Sequence, residues 1–165
     1  MSPVVARSDG RSVPVPMATV RVFEFPDELY YLMAHDTWAR LDPDGNVTVG
    51  ITALGAHLSG EFIEFMPKPV GQRVERERAL GLLEMSKVIR SVRAPVGGVL
   101  LESNERVKRE PALINNSPYG EGWLVRLQPT DWERDCRELV TAAAIPQAAQ
   151  DYMALLAESF GEPPP

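Results

Sequence analysis

From residue 37 to residue 127 the chain is cut into short segments of strand character by turns of glycine, proline, asparagine and aspartate. Thr37-Trp38-Ala39-Arg40-Leu41 runs into Asp42-Pro43-Asp44-Gly45-Asn46, a hairpin turn by its residue types, and Val47-Thr48-Val49-Gly50-Ile51-Thr52 returns as a strand. Thr52 caps a short helix over 53–58. Glu61-Phe62-Ile63-Glu64-Phe65-Met66 alternates again and stops at the turn Pro67-Lys68-Pro69-Val70-Gly71. Two strands are expected at 80–84 and 88–92, with Met85-Ser86-Lys87 between them, and another at 99–102. Asn104 caps a helical turn reaching Arg109, Pro111 opens a second turn, and a loop over 117–122 precedes a strand at 123–127. Short strands at regular spacing predict a mostly β fold, a sandwich or flattened barrel with short helices.

The ends differ from this middle. Residues 1–18 have no clear periodicity and are expected to form a flexible arm. A strand is expected at 21–25, followed by a turn or helix start at Pro26-Asp27-Glu28. Thr130 or Asp131 caps a predicted helix over 132–144, and Pro146 starts another that runs to Phe160. The expected organisation is an arm over 1–18, a domain over 19–140, and a helical extension with a tail over 141–165.

A chain of 165 residues with net charge −6 is one domain's worth of protein and a poor candidate for nucleic-acid binding. No apolar run approaches the roughly 20 residues of a membrane helix, and the first 25 residues lack a secretory layout. A cytoplasmic protein without membrane partners is the expectation. The single cysteine, Cys136, excludes an internal disulfide and a cysteine-built metal site, and reads as a spectator. His35 and His57 have no cysteine or carboxylate cluster nearby, so structural hydrogen bonding is expected of both. Trp38 and Trp123 read as packing residues, Trp132 as a staple for the C-terminal helix, and the run 73–78 as a solvated face. No phosphate-binding loop, nucleophile elbow or paired-carboxylate site is present, so no catalytic and no metal-binding residues are expected.

The chain carries 14 arginines and three lysines. Arginine stays protonated and cannot be acylated as lysine can. Lys68 lies between two prolines and Lys108 in a predicted helix; Lys87 is placed at a hairpin tip. A tip projects an amine away from the core on a fixed base. A long acyl arm attached there raises effective concentration at several sites without tight binding at any. On composition alone an exposed lysine is a solvated surface residue.

The segment Leu82-Leu83-Glu84-Met85-Ser86-Lys87-Val88-Ile89-Arg90-Ser91-Val92-Arg93-Ala94-Pro95-Val96-Gly97-Gly98 resembles the lipoyl attachment hairpin of the glycine cleavage system H protein family. Two other blocks resemble that family in the same order. One is His35-Asp36-Thr37-Trp38 with the strand at 47–52. The other is Asn104-Glu105 with Pro111-Ala112-Leu113-Ile114-Asn115-Asn116-Ser117-Pro118-Tyr119-Gly120-Glu121-Gly122-Trp123-Leu124. The similarity covers roughly residues 30–140. It implies a lipoyl-domain-type β-sandwich (a hybrid-motif barrel) and a carrier protein, not an enzyme. It also implies lipoic acid bound covalently to Lys87, with Glu84 and Gly98 helping a lipoate-protein ligase recognise the site.

Three departures from the family pattern stand out. Ser91 replaces an aspartate four residues after the lysine, the stretch at 53–61 differs, and Asp36 stands for the glutamate of the opening motif. In the glycine system the arm carries an aminomethyl group, whose ammonium favours a nearby carboxylate. Ser91 with Arg90 and Arg93 close in sequence is expected to make the local field more positive. These changes resemble the H-like lipoate-binding proteins of bacterial sulfur oxidation, and the expectation leans that way. The implied partners are then a heterodisulfide-reductase-like complex and a dihydrolipoamide dehydrogenase-type protein. The alternative is an H protein serving the glycine cleavage P, T and L proteins, and a second alternative is an interaction module that has lost its lipoate.

Overall fold

The structure is a computed structural model that describes residues 4–6, 12–14, 17–20 and 23–160. The strands in chain order are β1 (Val4–Ala6), β2 (Ser12–Pro14), β3 (Met17–Val20), β4 (Phe23–Pro26), β5 (Tyr30–Leu32), β6 (Thr37–Leu41) and β7 (Val47–Ile51). After helix α1 (Ala53–Ser59) come β8 (Phe62–Pro67), β9 (Arg73–Val74), β10 (Ala79–Met85), β11 (Ile89–Arg93) and β12 (Gly98–Ser103). Helices α2 (Glu105–Arg109) and α3 (Ala112–Asn116) precede β13 (Val125–Pro129), then α4 (Trp132–Cys136), β14 (Val140–Thr141) and α5 (Ile145–Phe160).

Two antiparallel sheets form the body. One has three strands in the order β11-β10-β8, the other seven in the order β14-β5-β6-β7-β13-β12-β9. They face each other as a sandwich and do not close into a barrel. Phe65, Leu83, Met85 and Val92 from the small sheet meet Val47, Val49, Ile51, Leu100, Val125 and Leu127 from the large one in a single buried cluster. Alternation along each strand sends these residues inward; their neighbours on the small sheet face solvent, whereas those on β7 are buried on the far face of the large sheet.

The turn residues act as the sequence suggests. Gly45 takes a positive φ of 85° and donates its N–H to the Asp42 carbonyl, which closes the β6–β7 hairpin. Thr52, Asn104 and Asp131 each accept a backbone N–H with their side chains, capping α1, α2 and α4.

The C-terminal region departs from expectation. The helix predicted over 132–144 stops at Cys136, because Val140 and Thr141 pair with Tyr31 and Tyr30 and extend the large sheet. Pro146 does stand at the start of the last helix, α5. Ile145, Ala149 and Met153 form a stripe at helical spacing on α5. That stripe is buried with Phe23, Phe25, Leu29, Tyr31, Met33, Trp38 and Leu54 on the far face of the large sheet. Residues 141–160 therefore complete a second core. Within the expected N-terminal arm β1 pairs with β2, and β3, which spans the end of that arm, pairs with β4. Residues 1–3, 7–11, 15, 16, 21, 22 and the tail 161–165 lie outside the described residues.

Candidate functional site: the Lys87 hairpin

Strands β10 and β11 pair from Ala79 opposite Arg93 to Glu84 opposite Ile89, and the Met85 N–H donates to the Val88 carbonyl at 2.9 Å. Ser86 and Lys87 are left as the two residues of the loop. Both are exposed, as are Val88 and Ile89. Among the described residues no carboxylate pairs with the Lys87 amine, whereas Lys108 is ion-paired with Glu105 at 2.9 Å. Lys68 follows the end of β8, at the opposite end of the small sheet. An exposed, unpaired amine on a hairpin whose base is held in a sheet fits the covalent attachment of a long acid.

The surroundings of Lys87 differ on the two faces of the hairpin. Residues directly opposite one another share a face. Glu84 stands opposite both Ile89 and Glu64, and Leu82 stands opposite Ser91 and Met66, all on the solvent face. Two carboxylates, Glu84 and Glu64, thus lie side by side next to the tip. Arg90 stands opposite buried Leu83, on the other face. Its guanidinium donates to Asp36 Oδ2 at 3.0 Å, to Ser59 Oγ at 3.1 Å and to the His35 carbonyl at 3.3 Å. Arg93 donates to the Glu77 carbonyl. The expectation that both arginines bias the field around the arm is therefore corrected: Arg90 is turned to acceptors within the protein, and Arg93 lies at the end of β11 away from the tip.

Asp36 is the hub that sequence reasoning missed. It has φ 62° and is only 3% exposed. Oδ2 also accepts the Tyr152 hydroxyl at 3.1 Å, so one carboxylate ties the hairpin to α5. Any side chain at residue 55 would run into Asp36, so Gly55 makes the room for it. Burial pushes the Asp36 carboxyl above its ordinary range, opposed by the charge and hydrogen bond of Arg90. Asp36 Oδ1 and Thr37 Oγ1 have no partner among the described residues. The signal available in the sequence was the parity of Arg90, which places it inward.

Glu84 and Gly98 are not brought together. Glu84 is half-buried at the tip end of β10. Gly98 begins β12 in the other sheet, paired with Pro129 and Val74. Strand β11 alone separates the tip from that bend by four steps, roughly 13 Å. A Cβ at residue 98 would collide with the Gln128 carbonyl. His35 is half-buried and contributes its carbonyl to Arg90; His57 is exposed, with its ring 5.2 Å from that of Phe23. Cys136 is half-buried, its thiol pushed up by burial and donating to the Glu133 carbonyl. Among the described residues no group of three or more His, Cys, Asp or Glu is placed to hold a metal, and no helix is long and apolar enough to cross a membrane.

The other two sequence blocks build the frame. Trp38 Nε1 donates to the carbonyls of Ile51 and Pro118, and Gly50 leaves space for its ring. Asn104 Nδ2 donates to the carbonyls of Glu121 and Trp123. Comparison with known proteins agrees with this arrangement. The family model described as "Glycine cleavage H-protein" matches residues 29–152, three quarters of the chain and all of the frame just described. The chain belongs to the glycine cleavage H-protein family. It is 38% identical over 128 residues to glycine cleavage system H protein 2 of Aquifex aeolicus, covering 78% of this chain and 80% of that one. It is 35% identical to the glycine cleavage system H protein of Alkalilimnicola ehrlichii, covering 79% of this chain and 96% of the relative. The crystal structure of the Mycobacterium marinum H protein superposes with a TM-score of 0.65 at 30% identity, covering 79% of this chain and 98% of that one. Members of this family are lipoyl carriers, not catalysts, with lipoate attached covalently to a lysine.

Proposed function

We propose that this protein carries lipoate on Lys87 and serves as the H protein of a glycine cleavage system, moving an aminomethyl cargo among the P, T and L partners after loading by a lipoate ligase. The observation that carries this reading is the lysine itself: exposed, unpaired, and held by a two-residue loop between paired strands. When attached through an amide to Nζ, lipoate supplies a dithiolane that can hold and release a cargo. The chain's own residues do the rest. β10 and β11 fix the position of the Lys87 backbone, and exposure of Ser86, Val88 and Ile89 leaves a clear path for partner surfaces. Glu84 and Glu64 put negative charge on the solvent face, which favours a cationic cargo over an anionic one.

A sulfur-type carrier working with a heterodisulfide-reductase-like complex is the second reading. Ser91 in place of a carboxylate is the observation on its side. The engagement of Arg90 by Asp36 removes one physical reason for preferring it. The test offers loaded protein to a glycine decarboxylase with labelled bicarbonate. Exchange as fast as with a known H protein supports the glycine reading. No exchange from fully loaded protein favours the sulfur reading, and failure to load at all favours an interaction module without lipoate.

A further inference from the structure

The end of the small sheet opposite Lys87 carries a cleft of about 450 Å3 lined by Lys68, Arg73, Arg78, Arg93 and the carboxylate of Glu75. The pairing of Ala79 with Arg93 and of Gly81 with Pro67 brings three of the cations to the base of this sheet. Arg73 reaches it from β9, the edge strand of the other sheet. Four cations face one carboxylate, in a chain whose net charge is −6. Arg40, Arg76, Arg90, Arg106, Arg126 and Arg134 each have a carboxylate within ion-pair distance; among the described residues none of the four cleft cations does. Arg73 and Arg78 are exposed.

Gathering unpaired like charges is unfavourable until an anionic surface meets them. We propose that this cleft docks a carboxylate-rich segment of a partner protein, gripping the small sheet by its base and leaving the Lys87 tip free. The lining offers no aromatic ring on which a base could stack, and the acidic remainder of the chain repels a long polyanion. A short acidic peptide segment meets neither obstacle. The proposal holds whether or not Lys87 is modified.

The experiment measures the anisotropy of a labelled glutamate-rich peptide titrated with the full chain, unmodified and lipoylated. Binding is expected in both forms, weakening with rising salt. The double variant Arg73→Glu/Arg78→Glu is expected to weaken it by about tenfold or more, as reversal of complementary charge does. Arg73→Gln/Arg78→Gln, which keeps two exposed polar side chains, should lose less, and Arg109→Glu on α2 should lose nothing. Circular dichroism confirms that each variant is folded. Absence of binding, or binding indifferent to the double variant, overturns the proposal. An oligonucleotide or polyphosphate bound more tightly than the peptide overturns it too. So does a dimer, seen in sedimentation, that the double variant abolishes, because the occupant is then a second copy of this chain.

Discussion

The two ends of β11 are opposites. At one end Lys87 stands exposed on a two-residue loop with an unpaired amine. At the other, residues 94–98 are all buried, the Gly97 N–H donates to Asp135 at 2.8 Å, and Gly98 lies against the Gln128 backbone. Both ends belong to one sequence motif, and both were expected to take part in lipoate loading. The structure divides them. The tip exposes an amine to solvent, and the bend is buried between the small sheet and the large one.

Lys87→Arg tests the tip. It should abolish loading, seen as the loss of the lipoyl mass from the intact protein, while the free energy of unfolding stays within about 0.5 kcal/mol of the parent, as for other exposed substitutions. A shift of several kcal/mol would mean that the tip also holds the fold. Gly98→Asn tests the bend. The new side chain meets backbone that cannot retreat without moving β13, so a loss of about 2–3 kcal/mol is expected. A variant of parental stability that loads slowly would support the recognition role expected of Gly98.

Two smaller effects sharpen the contrast. Asp36 sits between hairpin and α5, and burial raises its folded-state pKa above that of the unfolded chain. The folded protein therefore binds this proton more tightly. The stability contributed here is greatest below the ordinary carboxylate range and falls as pH rises until the group has ionised. Asp36→Asn should flatten that part of the curve of stability against pH, followed by urea unfolding across the acidic range. An unchanged slope would place the titrating group elsewhere. Glu84→Ala should slow ligase loading and change stability by less than about 0.5 kcal/mol. Loading at the parental rate would remove Glu84 from recognition and leave Lys87 as the tip's only functional side chain.

Much of this was legible in the sequence. Alternation and turn residues placed β6, β7, β8, β10 and β11, and the caps at Thr52, Asn104 and Asp131 follow from side chains able to accept a nearby N–H. What was not legible depended on distant partners. Val140 and Thr141 carry strand preference, but only the open edge beside Tyr30 and Tyr31 turns that into β14 in place of helix. The stripe on α5 was periodic, yet the face it covers is assembled from Phe23, Tyr31, Trp38 and Leu54. Arg90 looked like a charge beside the arm because its partner, Asp36, is 54 residues away in sequence. The crowding at Gly98 was not legible either, because the backbone that leaves no room for a side chain there comes from β13.

The central claim is that Lys87 is the one attachment point for lipoate. Peptide mapping by mass spectrometry, after expression of the full chain with a lipoate ligase and lipoate, addresses it directly. The expected result is a single lipoyl group on the peptide containing Lys87, with Lys68 and Lys108 unmodified. A lipoyl group on either of those lysines in place of Lys87, or none on any lysine with a ligase that loads a known H protein, would contradict it.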